Sequence, residues 1–103
     1  MKLLTYLLAT LLVFSINATS QAASIYAGKS KASAVCSQCH GIRKTSAEAP
    51  FPPLAGRDEE YMENALKQYR NKTRVSEIMN NIAGSLSDRD INNIASYYSR
   101  LKP

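Results

Sequence analysis

Apolar and polar positions divide this chain into a leader and a helical body. Residues 3–16 carry no charge and are dominated by Leu, Val, Phe and Ile; Lys2 precedes them, and a stretch of small and polar residues, 17–23, follows. A basic start, an apolar run of about 14 and a small-residue exit describe a secretory signal, too short for the roughly 20 residues of a bilayer span. We expect residues 1–22 to be a signal peptide cut after Ala22, with Ala23 as the competing position, and residues 23–103 to form one domain. Only a retained leader would tie the protein to a membrane. Over residues 25–39, Gly28, Ala32, Val35, Cys36 and Cys39 recur at steps of three and four, which predicts a helix. Residues 41–56 hold Pro50, Pro52 and Pro53 between Gly41 and Gly56, a composition that stops helix and strand alike.

A second helix is expected over residues 58–70. Tyr61, Met62, Ala65, Leu66 and Tyr69 give it an apolar stripe, and Asp58, Glu59 and Glu60 suit its positive end. Residues 71–85 read as irregular and polar, anchored by Val75, Ile78, Met79 and Ile82. Ser87 is a good N-cap with Asp90 three positions on, and it opens a last helix whose stripe is Ile91, Ile94, Ala95, Tyr98 and Leu101, with Tyr97 on its border. The fold class expected is all-α, with about three main helices.

Composition sharpens this picture in two ways. Hydrophobic residues make up 45% and charged residues 20%, which excludes a disordered chain. A domain of about 80 residues buries only about 60% of its unfolded surface, however, and many of that size need a staple. The two cysteines, Cys36 and Cys39, are too close for a disulfide to serve, since so small a loop barely constrains the unfolded chain. Net charge is +5, but the basic residues are dispersed and no cluster interleaves them with aromatics, which argues against nucleic acid.

Cys36, Cys39 and His40 form C-x-x-C-H, the attachment motif of c-type haem. On a helix, positions i and i+3 share a face, so two thiols there can meet the two vinyl groups of one porphyrin edge, and the next residue can turn its imidazole to the iron. Other readings are weaker. A redox dithiol belongs near a β-α-β pattern, and this chain has no β-rich run. A structural zinc needs four ligands, and these three residues exhaust the cysteines and histidines. A covalently bound haem would be the missing staple.

With this motif in place, the chain resembles the class I c-type cytochromes, most nearly the small bacterial periplasmic monohaem members. The likeness runs from Tyr26 to Pro103. It rests on Gly28 ahead of the haem motif, on the proline segment Phe51, Pro52, Pro53, Leu54, Ala55 and Gly56, and on Ile78 and Met79 followed by Ala83 and Leu86. Asp90 and Ile91 through Tyr97 and Tyr98 complete it. The resemblance implies one haem c, held by Cys36 and Cys39, with His40 and Met79 as axial ligands of the iron. It implies that a proline carbonyl, best matched by Pro52, accepts a hydrogen bond from the axial imidazole. Gly28 is expected to admit the C-terminal helix at close range. Met62 sits on a helix stripe, where methionine usually fills core. Arg70 and Arg74 are candidates to pair with the haem propionates. Lys29, Lys31, Arg43 and Lys44 are expected to form a basic rim for docking.

The function implied is one-electron transfer by Fe(III)/Fe(II) cycling between periplasmic redox partners, such as a flavoprotein or a terminal oxidase. The protein is then not itself an enzyme. Two alternatives stay open: the haem subunit of a periplasmic dehydrogenase such as flavocytochrome c sulfide dehydrogenase, and an open-iron haem enzyme or ligand sensor.

Overall fold

Ser87 shows how closely local chemistry sets the helix boundaries. Its hydroxyl accepts from the Asp90 N–H at 3.0 Å, and the Asp90 carboxylate accepts from the Ser87 N–H at 3.0 Å, a reciprocal capping box at the head of the last helix. The computed structural model describes residues 20–43 and 51–103, with side chains from Ser24 onward in the first segment. The apolar leader 3–16, Lys44 and Pro50 lie outside the described residues.

Five helices follow in order: α1 (Ser20–Val35), α2 (Ser37–His40), α3 (Glu59–Arg70), α4 (Glu77–Gly84) and α5 (Asp88–Ser99). Among the described residues there is no strand, in accord with the all-α expectation. The long first helix expected over residues 25–39 is instead two helices broken by a turn at Cys36, and α1 starts at Ser20. The segment expected to be irregular contains α4. Its start is fixed by Ser76, whose hydroxyl accepts from the Met79 N–H at 3.3 Å. The two asparagines and terminal glycine of α4 dilute its apolar pattern, so a helix of two turns escapes detection by periodicity.

The core is built on α5. Ile91, Ile94 and Tyr98 are its largest fully buried side chains, joined by Ala32 and Cys36 from the α1 end, Met62 from α3 and Leu86. Helix α5 packs on both α1 and α3, and α3 packs on α4. Coverage from two sides explains why Asn93, Ser96 and Tyr97 are buried as well as the expected stripe. The α1–α5 crossing depends on Gly28. A methyl group there would overlap the Asn93 carbonyl and stand 2.9 Å from Tyr97 Cβ, so only glycine allows this approach.

Candidate functional site

Helix α2 is a single turn, and it sets the geometry of the C-x-x-C-H motif. The Cys36 and His40 N–H groups donate to Ala32 O and Cys36 O, both at 2.9 Å, which carries helical pairing through the turn. Cys36 and Cys39 therefore fall one turn apart on a common face. Both thiols are free, Cys36 buried and Cys39 exposed. Burial pushes the Cys36 thiol up to about 11, with Lys31 opposing the shift. That is the reverse of the lowered thiol pKa on which a redox dithiol depends.

His40 is buried, and its Nδ1 lies 2.7 Å from the carbonyl oxygen of Pro52. A carbonyl can only accept, so Nδ1 carries a proton, and in the neutral imidazole the lone pair is then on Nε2. The Phe51 ring stands 6.0 Å from the imidazole, tilted by 60°.

Cys36, Cys39, His40 and Pro52 line a cavity of about 390 Å³ whose far wall is made by α3 and α4. Its apolar lining includes Val35, Leu54, Leu66, Ile78 and Ile82. Met79 and Met62 both border it. Met62 is packed in the core, whereas Met79 stands half-buried on the first turn of α4. The cavity thus brings together every site residue expected from sequence: Cys36, Cys39, His40, Pro52 and Met79.

The expected cationic partners divide. Arg74 lines the cavity, its guanidinium 5.8 Å from the Tyr61 ring centre and 5.4 Å from that of Tyr69. Its hydrogen bond and charge hold the Tyr61 phenol below its usual range. Arg70 is turned elsewhere. It pairs with Asp88 at 2.5 Å and donates to Leu86 O at 3.2 Å, fastening α3 to the start of α5. Arg57, not singled out from sequence, lies 5.7 Å from the Tyr61 ring centre and also borders the cavity. Of the expected basic rim, Lys31 is 3.8 Å from Asp90, Lys29 and Arg43 are exposed, and Lys44 lies outside the described residues.

Sequence reasoning also missed Asn80. Its Nδ2 donates to Tyr69 O at 2.8 Å and Arg74 O at 2.9 Å, and its Oδ1 accepts from the Ser76 N–H at 2.9 Å. One side chain thus ties the α3–α4 connection to the turn that carries Met79. An asparagine inside a polar segment gives no sequence signal of this kind.

Comparison with known proteins supplies independent information. The cytochrome c family model matches residues 25–102. Cytochrome c4 of Pseudomonas aeruginosa is 38% identical over 102 residues, covering 98% of this chain and 49% of that protein. Cytochrome c-554(548) of Halomonas halodenitrificans is 37% identical over 67 residues, covering 62% of this chain and 81% of that protein. The thiosulfate dehydrogenase electron acceptor of Stutzerimonas stutzeri is 34% identical over 69 residues, covering 64% of this chain and 32% of its own length. The chain spans about half the length of the cytochrome c4 it matches. Covalently bound haem c is the cofactor of this family, and the residues present fit it. Two unpaired thiols one helical turn apart, an imidazole with its Nε2 lone pair available, a thioether and an apolar cavity are the donor set and environment such a group needs.

Proposed function

The chain belongs to the cytochrome c family, and we propose that it is a periplasmic one-electron carrier, exported by residues 1–22 and folded as one monohaem domain over residues 23–103. In this reading Cys36 and Cys39 hold haem c through thioethers, and His40 and Met79 are its axial ligands. Pro52 keeps the imidazole in one tautomer and raises its basicity. The bound haem supplies a reversible Fe(III)/Fe(II) couple. The chain's own residues attach it, fill both axial positions and surround it with apolar side chains, which together set the potential. Electron transfer of this kind makes and breaks no bond, so the protein is a carrier rather than an enzyme.

One observation carries this reading: a single cavity gathers Cys36, Cys39, His40 and Met79, with His40 Nδ1 already committed to Pro52 O. Redox proteins are the partners that follow. The relative named as an acceptor for thiosulfate dehydrogenase supports a donor of that kind, a periplasmic dehydrogenase that hands on single electrons. The test is purification of the holoprotein from periplasm, followed by a ferric spectrum and carbon monoxide titration. A methionine sulfur–iron charge-transfer band and a ferrous form inert to carbon monoxide are expected. Rapid carbon monoxide binding would instead establish an open iron and defeat the carrier reading.

A further inference from the structure

Tyr98 is a fully buried residue of α5 that does not border the cavity, yet it reaches both flanks of the connection between α2 and α3. Its hydroxyl donates to the carbonyl of Gly41 at 2.8 Å. Its own backbone carbonyl accepts from the Gly56 N–H at 2.9 Å. Gly41 is the residue after His40 and caps α2, with φ of 70°. Gly56, with φ of 77°, ends the short segment that begins with Pro52, and that segment is further fixed where the Arg57 N–H donates to Leu54 O at 3.2 Å. Burial holds the Tyr98 phenol far above its ordinary range, so it stays a proton donor.

We infer that Tyr98 is a positioning residue for the axial imidazole: by holding Gly41 and Gly56 it fixes both the donor and the acceptor of the His40–Pro52 hydrogen bond. The inference rests on the reading of His40 as an iron ligand. Its physical content is second-hand control of imidazole basicity. A well-aligned Nδ1–H···O=C bond makes Nε2 a stronger donor, which favours Fe(III) and lowers the potential. Loosening either flank lengthens or tilts that bond and raises the potential. The Gly56 contact is backbone and survives any substitution at position 98, so the hydroxyl can be tested alone.

The experiment uses the holoprotein and two variants, Tyr98→Phe and Tyr97→Phe. Tyr97 is the neighbouring buried phenol on α5, and its hydroxyl has no hydrogen bond to the described residues, so it controls for loss of a phenolic oxygen. Tyr98→Phe should speed hydrogen exchange at His40 Nδ1–H by about fivefold or more, the loss expected of one neutral hydrogen bond. It should also raise the reduction potential, with the axial ligands unchanged by spectrum. Tyr97→Phe should do neither. Equal exchange rates in the three proteins, or equal acceleration in both variants, would overturn the inference. If Tyr98→Phe does not fold, exchange in the unsubstituted protein decides: the Gly56 amide and His40 Nδ1–H should open in one event of the same free energy. Opening of Gly56 at lower free energy, with Nδ1–H still protected, overturns it. A ferric spectrum without histidine ligation would defeat the carrier reading and this inference together, whereas histidine ligation with unchanged exchange defeats the inference alone.

Discussion

Two methionines border one cavity, and their surroundings give them different work. Met62 is enclosed by core side chains on α3, while Met79 sits half-buried at the head of α4. Met79→Ala should therefore abolish the sulfur–iron band, lower the potential and admit carbon monoxide. Met62→Leu conserves volume in a packed stripe, and it should leave all three unchanged at a cost below about 1.5 kcal/mol. Ferric spectra and redox titration of the two variants decide the assignment, and loss of the band in the Met62 variant alone would reverse it. The thiols invite an equally direct measurement. The haem should stay with the polypeptide through denaturing electrophoresis, and Cys36→Ser or Cys39→Ser should leave one thioether and one free vinyl by pyridine haemochrome. These residues were legible because their chemistry is written in consecutive positions. Asn80 and Tyr98 were not, since their roles are hydrogen bonds to carbonyls remote in sequence, and a carbonyl has no residue identity to read.

Helices α3 and α5 could be read in advance because each carries its own cap and its own stripe. Helix α4 could not, since part of what holds it comes from Asn80 gripping the end of α3. Removing that grip should matter more than its half-buried setting suggests. Asn80→Ala deletes three hydrogen bonds and orphans two carbonyls, for a loss of about 2 kcal/mol; thermal bleaching of the Met79 band should then precede global unfolding. At the α1–α5 crossing, Gly28→Ala should cost about 3 kcal/mol, the upper part of the overpacking range, because the obstructing atoms are backbone and cannot rotate away. Denaturant titration of the holoprotein measures it. The head of α5 sets the response to acid. The Arg70 hydrogen bond holds the Asp88 carboxyl below its ordinary range, and the Ser87 N–H does the same for Asp90. Folded pKa values below the unfolded ones mean that this stabilisation is complete above the unfolded carboxyl pKa of about 3.9 and is lost as pH falls through the folded values. Helix α5 should thus fray at its N-terminus below about pH 4. Amide exchange across Asp88–Ser99 against pH is the measurement, and Asp90→Asn should flatten the acid limb.

At the scale of the whole molecule, the cavity lies where α3 and α4 face the C-x-x-C-H turn, and without the haem much of the apolar lining has nothing to pack on. The Cys36→Ala, Cys39→Ala double variant should accordingly lose most of its helix, and a near-native far-ultraviolet spectrum would contradict this. The apolar lining uncovered in that variant would add to apolar groups already exposed, Val75 at 87% and Ile78 at 55%, and open a route to aggregation. The α1–α5 crossing adds a constraint in time. It joins Gly28 to Asn93 and Tyr97, contacts about 65 residues apart, so it cannot form until nearly the whole chain is available. A chain made from its N-terminus presents Cys36 about 50 residues before α5 exists. Until then the Cys36 sulfur is open to solvent; afterwards Ile94, Tyr98 and their neighbours close over it. Attachment at Cys36 thus belongs to the open chain, before the crossing that Gly28 permits encloses that sulfur.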